Sequence, residues 1–155
     1  MNDTRDLVEA AALQLTQQVH ARLSTIERFT GNTYSVARGD IMRAAVALVG
    51  QLDHPDSAAG KDRKVREQAA RAVCDAMFGE AHPPAEFWAT DLGQWVAMAI
   101  GYPRADITPS AAAAVLRCSR QNVWKQTSNG TIPLTPELLA HLVQEQTRRR
   151  ALALR

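Results

Sequence analysis

Alanine is the residue that most limits what this chain can fold into. Twenty-seven of its 155 positions are alanine and only eight are aromatic. Alanine is the best helix former and is depleted in strands, so an all-α fold is expected and a sheet-dominated one is disfavoured. The rest of the composition, 46% hydrophobic and 22% charged, is that of a globular domain able to bury its own core. No apolar run approaches the roughly 20 residues needed to span a bilayer. The start, Met1-Asn2-Asp3-Thr4-Arg5-Asp6, places no apolar signal core behind a basic segment. A cytoplasmic protein with no membrane partner is the expectation.

Hydrophobic spacing divides the chain into helices. Val8, Ala12, Leu15, Val19, Leu23 and Ile26 recur at three- and four-residue steps, marking one helix over about 4–30 that stops at Gly31-Asn32. A second helix, about 38–52, carries Ile41, Ala45, Leu48, Val49 and Leu52, and Asp53 to Gly60 reads as a loop. A third, about 62–78, sets Val65, Ala69, Val73 and Met77 against a basic side with Lys61, Arg63, Lys64, Arg66 and Arg71. A fourth, about 85–100, holds Phe87, Trp88, Leu92, Trp95, Val96, Ala99 and Ile100, and is the expected centre of the C-terminal core. Further start signals, Thr108-Pro109 and Thr135-Pro136, pair a capping hydroxyl with proline at the first helical position.

The net charge of +2 is a cancellation. Residues 107–155 hold seven basic and two acidic side chains, whereas residues 1–60 and 61–106 are each mildly acidic. Two parts are expected. Residues 1–60 form a helical scaffold that dimerises, and residues 61–155 form a helical DNA-binding part.

Within the basic third, residues 107–131 read as two short helices joined by a turn at Arg117-Cys118, the second capped by Ser119 and stopped at Asn129-Gly130. Ala112 and Ala113 are small enough for close helix packing, and Leu116, Cys118 and Val123 would fill the wedge. On the second helix Gln121, Trp124, Lys125 and Ser128 share one face, away from Val123 and Thr127. Arginine bonds guanine in bidentate fashion and glutamine or asparagine bonds adenine, so Arg120, Gln121 and Asn122 are the candidates for reading bases. Arg117 and Lys125 suit phosphates, which position a protein without reading sequence. The Arg148-Arg149-Arg150 run is either a second grip on the backbone or a fraying helix end.

The pattern Ala112-Ala113-x-Val115-Leu116-x-x-Ser119-Arg120-Gln121-x-Val123, followed by Gly130-x-Ile132-Pro133, resembles the DNA-binding helix-turn-helix of excisionase-like and MerR-like regulators over about 108–133. The resemblance implies a recognition helix beginning at Ser119 and a short wing at 130–134. The chain departs from the pattern at Arg117, where the turn usually has glycine, and at Gln126, usually apolar. A second segment, about 13–49, resembles a ribbon-helix-helix unit through Leu13-Gln14-Leu15-Thr16 and Tyr34 to Val46. In that arrangement Gln14 and Thr16 would face DNA from a strand. Glu9-Ala10-Ala11-Ala12 is poor strand material, and the helical period runs through it, so one long helix is the preferred reading.

Other chemistry is not indicated. His20, His54, His82 and His141 lack ligand spacing, and Cys74 and Cys118 read as core residues rather than a disulfide. There is no paired acid and base, no nucleophile elbow around Ser119 and no phosphate loop. The expectation is therefore no enzyme, no cofactor, no metal and no small-molecule ligand. The expected function is sequence-specific binding of double-stranded DNA by a homodimeric bacterial or phage- or plasmid-type repressor or accessory factor. The alternative is a protein–protein interaction module, antitoxin-like or adaptor, that does not read DNA.

Overall fold

The computed structural model describes residues 4–31, 38–52 and 60–155, and every regular element in it is helical. The helices are α1 (Thr4–Thr30), α2 (Arg38–Gly50), α3 (Gly60–Phe78), α4 (Ala85–Trp88), α5 (Asp91–Ile100), α6 (Pro109–Leu116), α7 (Arg120–Gln126) and α8 (Pro136–Ala153). No strand occurs among the described residues, and no described helix is long and apolar enough to cross a membrane. The expected loop at 53–59 lies outside the described residues.

Two compact units form, residues 1–81 and 82–155. The break falls after α3, not at the expected 60/61 position. In the first unit α1 packs on α2 and α3. Ala11, Ala12 and Leu15 of α1 meet a core made with Ala45 and Val49 of α2, Leu52, and Ala69, Ala70, Val73, Cys74 and Met77 of α3. Alanines at five of these eleven positions allow the helix axes to come close. Arg22 ties α1 to the end of α3, its Nη1 donating to the carbonyls of Asp75 and Ala76 at 2.6 and 2.7 Å. The Asp75 carbonyl also accepts from the Gly79 amide at 3.0 Å, and the carbonyl end of a helix attracts a cation. The Arg22 bond and the buried face of α3 explain why α3 belongs with α1 despite its basic surface.

Residues 13–16 lie inside α1, so the strand that a ribbon-helix-helix requires is not formed there. Thr16, expected to face DNA in that arrangement, is buried, with its hydroxyl on the Ala12 carbonyl at 2.8 Å. Tyr34 to Ala37 of the same segment lie outside the described residues. Towards its C-terminus α1 leaves Ile26 and Phe29 exposed, Phe29 by 88%.

In the second unit α5 and α8 form the main pair, and α4 and α6 cover them. The single helix expected over 85–100 is two. Thr90 interrupts it, its side chain accepting from the Gly93 amide at 3.1 Å to cap α5 while its hydroxyl donates to the Phe87 carbonyl at 2.7 Å. Trp88 stacks on Tyr102 at 5.5 Å between ring centres, and both are buried. The Tyr102 hydroxyl meets His82 Nδ1 at 3.0 Å, and the other ring nitrogen faces Asp106 at 3.2 Å. Gly101 ends α5 with φ 72° and ψ −66°, a tight turn closed by the Tyr102 amide on the Ile100 carbonyl at 2.8 Å. A side chain there would collide with the start of α8, since its Cβ would lie 1.8 Å from the Pro136 carbonyl oxygen.

Candidate nucleic-acid interface

The segment 107–132 is built from local signals. Thr108 caps α6 by accepting from the Ala111 amide at 3.1 Å, with Pro109 in the first turn. The helix stops at Arg117, which adopts left-handed angles, φ 52° and ψ 44°. That conformation costs a non-glycine residue about 1–2 kcal/mol. The Arg117 and Cys118 amides recover the last carbonyls of α6, on Ala114 at 3.2 Å and Ala113 at 3.0 Å. Arginine thus serves in the turn where the resemblance implied glycine. Ser119 then caps α7 by accepting from the Asn122 amide at 3.2 Å.

The two helices close on small and branched side chains. Ala112, Ala113, Val115 and Leu116 of α6 are buried, as is Val123 of α7, while Cys118 is only partly covered. Burial pushes the Cys118 thiol above its ordinary range. Thr127 takes the inward position one turn after Val123, and its hydroxyl donates to the Val123 and Trp124 carbonyls at 3.0 Å each. Gln126 is therefore exposed, and the one polar side chain buried between these helices, Thr127, has its hydroxyl bonded. Gln94 of α5 anchors the pair, its amide donating to the Trp88 carbonyl at 2.6 Å and to the Val115 carbonyl at 3.1 Å.

Arg117, Ser119, Arg120, Gln121, Asn122, Trp124, Lys125 and Ser128 are all exposed. Gln121, Trp124 and Lys125 share one side of α7 at helical spacing. Ser128 does not extend that face. The helix ends at Gln126, and Ser128, Asn129 and Gly130 all take positive φ, 50°, 58° and 78°. Successive amides in such conformations form anion-binding concavities. Neither the Asn129 nor the Gly130 amide has a partner among the described residues. Asn129 was not among the expected contact residues. The Ser-Asn-Gly run was the available signal, since asparagine and glycine tolerate left-handed angles.

No wing forms at 130–134. Instead the Ile132 amide returns to the Thr127 carbonyl at 3.0 Å and Thr131 Oγ1 donates to the Ser128 carbonyl at 2.7 Å. The loop folds back beside α7 and encloses a groove of about 310 Å³ with Arg120, Trp124, Ile132 and Pro133 on its walls. Charge is one-sided here. From Ile107 to Pro136, 30 residues, there is no aspartate or glutamate, while Arg117, Arg120 and Lys125 are present. The segment therefore exposes three cations together with hydroxyl and amide donors, and no carboxylate of its own.

No family model matches the chain, and neither does any curated protein or solved structure.

Proposed function

We propose that the second unit binds double-stranded DNA through a helix-turn-helix formed by α6 and α7, with sequence preference. One observation carries this reading. A seven-residue helix, capped by Ser119 and held on α6, presents Arg120, Gln121, Asn122 and Lys125 to solvent within a stretch lacking carboxylates. Recognition helices place their N-terminal residues against base edges in the major groove. In this reading Arg120, Gln121 and Asn122 read bases, and Arg117, Ser119, Lys125 and Ser128 hold the backbone. Trp124 gives apolar contact of the kind that recognises a thymine methyl. The function is that of a transcriptional repressor or accessory factor, acting without cofactor or catalytic step. The exposed Ile26 and Phe29 of α1 support a homodimer joined through the first unit, which would match paired half-sites.

The test is a salt titration of duplex binding with wild type, Gln121→Ala and Lys125→Ala. Wild-type affinity falls steeply with salt, log K dropping by about 0.9 per phosphate neutralised for each log unit of salt. Gln121→Ala relaxes the base preference selected from a random duplex pool, whereas Lys125→Ala weakens all duplexes alike. Absence of duplex binding at low salt sinks the reading. A protein-docking role is the second reading, favoured by Trp124 and Ile132, 53% and 42% exposed beside the same groove. Docking of that kind depends little on salt.

A further inference from the structure

The arginine run near the end of α8 holds a second contact that the fold, and not the run itself, picks out. Leu139 and Val143 of α8 are buried, and Gln146 is half-buried on the same side. Arg150 follows Val143 by seven residues, two turns, and so continues this inward stripe past the end of the core. Arg148, two residues earlier, lies on the opposite side of the helix. Arg149 is held by Glu145 at 3.4 Å. Arg148 and Arg150 have no ion-pair partner among the described residues, and both are exposed.

The level of Arg150 along the unit follows from two contacts. The start of α8, at Pro136 and Ala140, abuts Gly101, and Gln144 Nε2 donates to the Met98 carbonyl at 2.7 Å. The two helices are therefore antiparallel, and four further residues of α8, to Arg148, reach the level of Gln94, with Arg150 about half a turn beyond it on the inward side. Gln94 is the residue whose amide holds the Val115 carbonyl at 3.1 Å, one residue before α6 ends and two before Arg117. Arg150 thus continues the inner face of α8 towards the end of the unit that carries Arg117 and the start of α7.

We propose that Arg150 contacts the phosphate backbone of the duplex beside the groove entered by α7, and that Arg148 does not. This rests on the DNA-binding reading and adds a site that neither the helix-turn-helix pattern nor its resemblance includes. Arginine at this place offers a rigid fork of donors matched to a phosphate.

The experiment measures log K against log salt for the full chain on one selected duplex, as wild type, Arg150→Ala and Arg148→Ala. Arg150→Ala is expected to make the slope shallower by about 0.9, one phosphate contact, with base preference unchanged. Arg148→Ala is expected to leave the slope within error of wild type. An unchanged slope in Arg150→Ala, or an equal loss in Arg148→Ala, overturns the inference while the DNA-binding reading stands. Failure of the wild type to bind any duplex overturns both.

Discussion

Replacing Gly101 by alanine tests the close approach that holds the second unit together. Two costs combine. The backbone angles, φ 72° and ψ −66°, are those of a strained γ-turn and cost an L-residue about 1–3 kcal/mol. The new Cβ would also lie 1.8 Å from the Pro136 carbonyl oxygen and 2.7 Å from the Ala140 amide nitrogen. Real Cβ atoms stay beyond 3.0 Å of such neighbours, so α8 must retreat by over an ångström. Overpacking of this kind costs about 1–3 kcal/mol. Together the loss is about 2–6 kcal/mol, a large share of the roughly 5–15 kcal/mol that stabilises a domain. Gly130→Ala is the matched control. It also has positive φ, 78°, but its Cβ would meet only the Trp124 ring, at 3.2 Å, and that exposed side chain can turn aside. Its expected cost is about 1–2 kcal/mol. Urea denaturation followed by tryptophan fluorescence is the assay. Trp88, Trp95 and Trp124 all lie in the second unit, so the signal reports that unit alone. Equal midpoints for the two variants would refute the packing argument, because the collision with α8 would then cost nothing measurable.

Other expectations concern the cap and the thiols. Ser119→Ala loses the acceptor for the Asn122 amide and costs about 1 kcal/mol by the same denaturation assay. Ser119→Asp keeps the cap and therefore the stability, yet weakens duplex binding through its added negative charge. If it binds as tightly as wild type, the start of α7 does not face phosphate. In the folded chain an alkylating reagent labels Cys118 before Cys74, and in denaturant both react, which mass spectrometry of the labelled peptides resolves. The reason is that Cys74 is buried and its thiol is pushed up to about 12, desolvation leading and Asp75 adding. A folded-state value above the ordinary 9.0 means the thiol contributes stability below pH 9, lost as pH rises from about 9 to about 12. Cys74→Ala flattens that alkaline decline, and an unchanged pH profile would contradict the burial argument.

The sequence by itself determined what is local. Thr108-Pro109, Ser119 and Thr135-Pro136 mark the starts of α6, α7 and α8, because a capping hydroxyl needs only the amide three residues on. The alanine excess and the three- and four-residue spacing likewise made the fold all-α, with one helix through residues 13–16. The exposed residues of α7 were legible for the same reason, since helical period sorts inward Val123 from outward Gln121 and Lys125. Tertiary structure alone decided which helices share a core and which side chain closes it. The expected boundary at 60/61 grouped α3 with the C-terminal part, but its buried Val73 and Met77, with the bond from Arg22 to its last turn, put it in the first unit. Helical extrapolation carried Ser128 along α7, but the helix ends at Gln126, and Ser128, Asn129 and Gly130 all take positive φ. Arg150 differs from its neighbours only by the face it occupies. A repeating pattern is a property of one helix, whereas burial is a property of the pair of surfaces that meet, and the second surface comes from distant residues.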